Sequence, residues 1–112
     1  MQHRDRMILQ KILEVIAETT EILQNVSKED FLQNKTLKLA MGMSIIRVGE
    51  LVKNLNFEVR KENPQIPWRD IAGFRDVAAH KYDIIDFQRV YMTVKKEFPE
   101  LKTQIEKILE DE

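Results

Sequence analysis

Apolar residues recur along the chain at steps of three and four, the spacing that lines one face of an α-helix. Ile8, Ile12, Val15, Ile16, Thr19, Ile22, Leu23 and Val26 form the first stripe and predict a long helix over about residues 3–25. In "SKED", which follows, Ser27 with an acid three places on reads as an N-cap opening a short turn through Phe31 and Leu32. Leu37, Met41, Ile45, Val48, Leu51, Val52 and Leu55 make the second long stripe. It predicts one helix from about Lys35 to Lys61, paired antiparallel with the first.

"ENPQIP" breaks that helix, because each proline disfavours helix at the residue before it. Pro67 suits the first position of the next helix, which carries Trp68, Ile71, Ala72, Phe74, Arg75 and Ala78 and loses its pattern near His80. "KYDIID" reads as a connection, with Asp86 capping a helix through Val90, Val94 and Glu97. Pro99 is expected to open a final helix through Leu101, Ile105, Ile108 and Leu109. With no repeat, linker or low-complexity segment, residues 1–112 are read as one all-α domain, an antiparallel bundle of four to five helices.

Composition narrows the function. The net charge of −1 argues against a protein that coats nucleic acid through many phosphate contacts. A local basic site remains open: Arg60, Lys61, Arg69, Arg75 and Lys81 fall close together, although in a chain with 33% charged residues such a cluster also suits an ordinary solvated face. No apolar run approaches the roughly 20 residues that span a bilayer, so no membrane partner is expected. The start, "MQHRDRMILQ", lacks the apolar core of a signal peptide, and there is no cysteine; a cytoplasmic location is the natural expectation.

The chemistry-bearing stretch is "GFRDVAAHKYD", residues 73–83, which places Arg75, His80 and Tyr82 within eight positions. On an unbroken helix five residues turn the chain by about 500°, leaving Arg75 and His80 about 140° apart. A helix ending near His80 would let the imidazole and Tyr82 turn back; otherwise partner groups come from another chain. The plain alternative is an arginine packed on Trp68 or paired with an acid, and a histidine at a helix C-terminus, where the dipole favours its charged form. Only His3 and His80 are available as histidines, and no paired-histidine metal motif, glycine-rich phosphate loop or nucleophile elbow is present, so no metal or cofactor is expected.

Phosphate chemistry fits what remains. Arginine is a permanent, planar fork for phosphate oxygens, histidine moves protons near neutral pH, and tyrosine hydrogen-bonds phosphate or stacks on a base. RNA carries its own nucleophile, the 2′-hydroxyl, so cleavage needs proton transfer, charge stabilisation and in-line geometry. One chain supplies a single suitable histidine, whereas a two-fold dimer meeting around residues 75–82 supplies a base and an acid. The second long helix adds a partly polar face of Met43, Ile46, Arg47, Gly49, Glu50 and Asn54. Its Gly42 and Gly49 are either tolerated surface glycines or places where another helix comes close.

"PWRDIAGFRDVAAHKYDIID" resembles the signature of the HepT-like branch of the HEPN superfamily (higher eukaryotes and prokaryotes nucleotide-binding domains): arginine, four residues, histidine, one residue, tyrosine. "IIRVGELVKNL", residues 45–55, is similar to the family's second-helix segment, so the resemblance covers nearly the whole chain. Many relatives carry asparagine after the arginine, where this chain has Asp76. The resemblance implies a metal-independent endoribonuclease toxin of a prokaryotic toxin–antitoxin module, with an active site at a homodimer interface and a minimal nucleotidyltransferase (MNT-type) antitoxin as partner. By carry-over His80 transfers the proton, Arg75 clamps phosphate and Tyr82 orients the substrate. Tyr82 is also the candidate for adenylylation by the antitoxin, and Asp76 and Glu50 are candidate supporting residues. Two competing readings stand beside the nuclease: a non-catalytic helical partner or substrate-binding subunit of a nucleotidyltransferase, and a plain structural bundle.

Overall fold

The computed structural model describes residues 1–112, and every regular element in it is helical. The long elements are α1 (His3–Ile22), α3 (Lys35–Lys53), α5 (Trp68–His80) and a continuous C-terminal rod made of α6 (Phe87–Met92), a π turn (Thr93–Glu97) and α7 (Phe98–Glu110). Between them lie α2 (Lys28–Leu32), α4 (Phe57–Glu62) and a 3-10 turn (Tyr82–Ile84). Side-chain links fix their directions. Asp5 meets Asn56 and Glu18 meets Arg47, so α1 and α3 run antiparallel. Lys95 reaches the Leu23 carbonyl while the N-terminus reaches Glu112, which sets the C-terminal rod antiparallel to α1. The expected all-α bundle is present.

The predicted stripes form its core. Leu9, Ile12 and Ile16 of α1, Met41, Val48 and Val52 of α3, and Val90 and Ile105 of the rod are fully buried, with Phe31 of α2 closing one side. Burying such aliphatic side chains stabilises the fold by about 1.5–3 kcal/mol each before chain entropy is subtracted. Two predicted caps are in place: the Ser27 hydroxyl accepts the Asp30 N–H at 3.1 Å, and Asp86 accepts those of Gln88 and Arg89 at 3.0 and 3.4 Å.

Two boundaries differ from the expectation. The second long helix does not run to Lys61 but stops at Lys53. The Asn54 amide donates back to the Glu50 carbonyl, and Asn56 caps α4 by accepting the Glu58 N–H at 3.1 Å. The Asn56 N–H itself goes to the buried carboxylate of Asp5 at 2.9 Å. Asparagines that satisfy their neighbours' backbone groups compete with helix continuation, and here α1 supplies the missing acceptor. At the other boundary, Pro99 does not open a separate helix. Met92 and Glu97 both hold helical dihedrals, and the Phe98 N–H reaches five residues back to the Thr93 carbonyl. That widened turn, just ahead of Pro99, lets the rod continue past a residue that has no N–H to donate.

Candidate active site

The helix carrying the motif is built on α3. Gly49 is buried, and a Cβ added there would overlap the Arg75 Cβ, lie 2.6 Å from its Cγ and 3.3 Å from the Ile71 carbonyl oxygen. Gly42, also buried and two helical turns earlier, would bring a Cβ within 3.1 Å of the Tyr82 ring. The close-approach reading of both glycines therefore holds: one seats the arginine and the other the tyrosine. With Lys53 bonded to Asp76, these contacts set α3 and α5 antiparallel.

Arg75 is only 20% exposed in its side chain and is held at both terminal nitrogens. Nη2 lies 2.9 Å from Glu50 Oε2, and Nη1 donates to Asp76 Oδ1 at 3.1 Å. Its Nε is buried without a partner. Arg75 is thus paired with acids, and no cation–π contact joins it to Trp68, whose indole N–H donates to the Asn63 carbonyl at 2.9 Å. The same Asp76 oxygen that accepts Arg75 also accepts Lys53 Nζ at 2.9 Å. Glu50, Arg75, Asp76 and Lys53 thus form one chain of alternating charge that sums to zero.

The hydrogen bond from Lys53, and after it that from Arg75, hold the Asp76 carboxyl below the ordinary value of 3.8. A depressed carboxyl contributes stability above its unfolded-state pKa and loses it as pH falls through the lowered folded-state value. The bridge is therefore intact at neutral pH and dissolves only at strong acidity. Lys53→Met should move the Asp76 midpoint back up toward 3.8 in a carboxyl NMR titration. An unchanged midpoint would show that Lys53 does not govern this carboxylate.

His80 and Tyr82 part company at the end of α5. His80 is its last residue, stays in helical register and is exposed; its imidazole takes part in none of the chain's hydrogen bonds or ion pairs. It diverges from Arg75 as helical geometry demands. Lys81, at φ −134° and ψ 42°, then leaves the helix, and the 3-10 turn folds Tyr82 back onto α3. There its ring meets Phe87 edge-on, with centroids 5.6 Å apart. The structure thus turns back the tyrosine and leaves the histidine facing out. No group of three or more His, Asp or Glu side chains is placed to hold a metal ion.

Sequence reasoning missed Lys53 and Phe87 because each joins the site across elements. Around the motif residues stand exposed apolar side chains from three elements: Leu39 and Met43 of α3, Val77 of α5 and Ile84, which is 73% exposed. No helix is long and apolar enough to cross a membrane.

No solved structure matches the chain. Its similarity lies among protein sequences. It is 36% identical to a Methanocaldococcus jannaschii protein named as an inferred RNase, over 99% of this chain and 93% of that one. A second inferred RNase, from Caldanaerobacter subterraneus subsp. tengcongensis, is also 36% identical, over 96% of each chain. A Thermococcus cleftensis protein, named by inference a ribonuclease HepT, is 35% identical over 86% of this chain and 91% of its own. The family model described as Ribonuclease HepT-like matches residues 12–108, a span that runs from the first core stripe through both seating glycines and the whole arginine–histidine–tyrosine motif. By that span and by those relatives, the chain belongs to the ribonuclease HepT-like family of the HEPN superfamily.

Proposed function

We propose that this protein is a metal-independent endoribonuclease, the toxin of a prokaryotic toxin–antitoxin module, with an active site completed when two copies meet across the α3–α5 face. In the reaction the 2′-oxygen of the RNA attacks the adjacent phosphorus and gives its proton to one His80. The P–O5′ bond breaks as the P–O2′ bond forms, and the 5′-oxygen takes a proton from the partner subunit's His80. Arg75 neutralises the extra charge on the phosphoryl oxygens, and Tyr82 orients the strand through its phenol. The neutralising partner is a minimal nucleotidyltransferase, which adenylylates Tyr82; a charged nucleotide on that ring blocks RNA by bulk and repulsion.

One observation carries the reading. A seated arginine lies in the second half of α5, an exposed histidine at its last position and a seated tyrosine in the turn that follows. They occur together with exposed apolar side chains on the same elements, Val77 and Ile84, that suit a second copy. The family membership and the RNase names of its relatives support the reaction class. The runner-up, a non-catalytic partner of a nucleotidyltransferase, draws on a different observation: both terminal nitrogens of Arg75 already face carboxylates. Wild-type protein incubated with total RNA in EDTA decides between them. The nuclease gives products ending in 2′,3′-cyclic phosphate. A requirement for Mg²⁺ would contradict the mechanism, and the absence of any cleavage would favour the non-catalytic partner.

A further inference from the structure

Beside Arg75, α4, α5 and the connection between them line a shallow, open groove of about 630 Å³ with a helical stripe along each side. On α4 the stripe is Phe57, Arg60 and Lys61, at positions i, i+3 and i+4; on α5 it is Arg69, Gly73 and Asp76, at i, i+4 and i+7. Arg60, Lys61 and Arg69 take part in none of the chain's ion pairs, and Arg60 Nε is buried without any hydrogen-bond partner. Against these three cations stand Asp70 and Asp76, and Asp76 is already bound to Lys53 and Arg75. A protein of net charge −1 therefore concentrates unpaired positive charge in one groove. Phe57 on its wall is 64% exposed, a large apolar ring with no packing role to explain it. At Gly73 the floor is open, since a Cβ there would meet nothing within 4 Å.

We propose that this cleft is the track for the single-stranded RNA flanking the cut, with Lys61, Arg69 and Arg60 on its phosphates and Phe57 as a stacking platform for a base. The chemistry is that of single-strand binding in general, a cationic groove with an aromatic face, which is tolerant of sequence. The position supplies the direction. Asp76 ends the α5 wall and is ion-paired to Arg75, so a strand leaving a phosphate on Arg75 enters the cleft at that end. From Asp76 to Arg69 the helix runs about 10 Å, roughly three stacked nucleotides. The identity of the ligand rests on the nuclease reading above; the charge and shape of the cleft do not.

The test uses the full-length protein and a single-stranded 2′-O-methyl RNA of about twelve nucleotides, within the usual span of such sites, which binds but offers no 2′-hydroxyl to attack. Lys61→Gln/Arg69→Gln should weaken binding roughly 10- to 30-fold at 0.1 M salt and lower the slope of log affinity against log salt by about 1.4, two phosphate contacts at about 0.7 each. Phe57→Ala should weaken binding about fivefold or more and leave the slope alone, because stacking releases no counterions. Lys102→Gln/Lys107→Gln, an equal change of charge on α7, should alter neither, and thermal melts should show all variants folded. Unchanged affinity and slope in the cleft variant would overturn the proposal, as would an equal loss in the α7 control. RNA binding retained while affinity for a polyglutamate peptide falls would overturn it in favour of an acidic protein partner. If the wild type cuts no RNA in EDTA yet the cleft variant shows the slope change, the nuclease reading fails and the track stands.

Discussion

His80→Ala should reduce RNA cleavage by about 10³–10⁴-fold while leaving the fold intact. A positioned acid or base supplies about 10²–10⁴-fold to proton transfer, and in the proposed homodimer the substitution would remove both the base and the acid, which places the expected loss in the upper part of that range. Stability should change by no more than about 0.5 kcal/mol, because the imidazole is exposed and holds nothing else in place. In a cell, the same variant should relieve whatever growth arrest the wild type causes. Activity and arrest both unchanged would remove His80 from the mechanism and turn attention to Arg75 alone. Arg75→Ala makes a poorer first experiment. That side chain is 20% exposed and ties Glu50 and Asp76 together, so its loss mixes chemistry with structure.

The course of His80 was only half legible. A five-residue step on an unbroken helix separates it from Arg75 by about 140°, but a helix ending near it left room for the imidazole to turn back. Only the structure shows α5 holding its register through His80. The main stripes were legible because apolar residues at helical spacing mark each helix's buried face, as with Ile12 and Ile16 on α1, Val48 and Val52 on α3 and Ile105 and Ile108 on α7. Local rules failed where the deciding partner is distant in sequence. The stop after Lys53 needs Asp5, which accepts the Asn56 N–H from 51 residues away. Pro99 reads as a helix start by every local rule, yet the π turn ahead of it carries the rod through. In the site, Arg75 stood out in the motif stretch and Asp76 through the family resemblance, but the cation that offsets Asp76 did not. Lys53 is one of many lysines in the sequence, and only the packing of α3 on α5 sets its ammonium 2.9 Å from that carboxylate.

The glycines make the coupling between packing and chemistry measurable, because one substitution should have opposite signs at two positions. At Gly73, where a Cβ meets nothing, alanine should stabilise the protein by about 0.5–1 kcal/mol through helix propensity and a less free unfolded chain. At Gly49 the same propensity gain is present but is outweighed. The new Cβ would overlap the Arg75 Cβ and press on the Ile71 carbonyl, neither of which is the movable end of a side chain. Relief requires α5 to shift away from α3, an overpacking cost of about 1–3 kcal/mol and occasionally more. The net result should be a loss of about 1–2 kcal/mol, roughly 5–10 °C in melting temperature for a domain of this size. Cleavage should fall further than stability does, because the same shift moves the guanidinium off Glu50 and out of line with the phosphate, and small displacements of positioned groups cost about 10²-fold. A Gly49→Ala protein that melts at or above the wild-type temperature would mean that the two helices are not in contact at this point. A stable and fully active one would also separate Arg75 from the reaction.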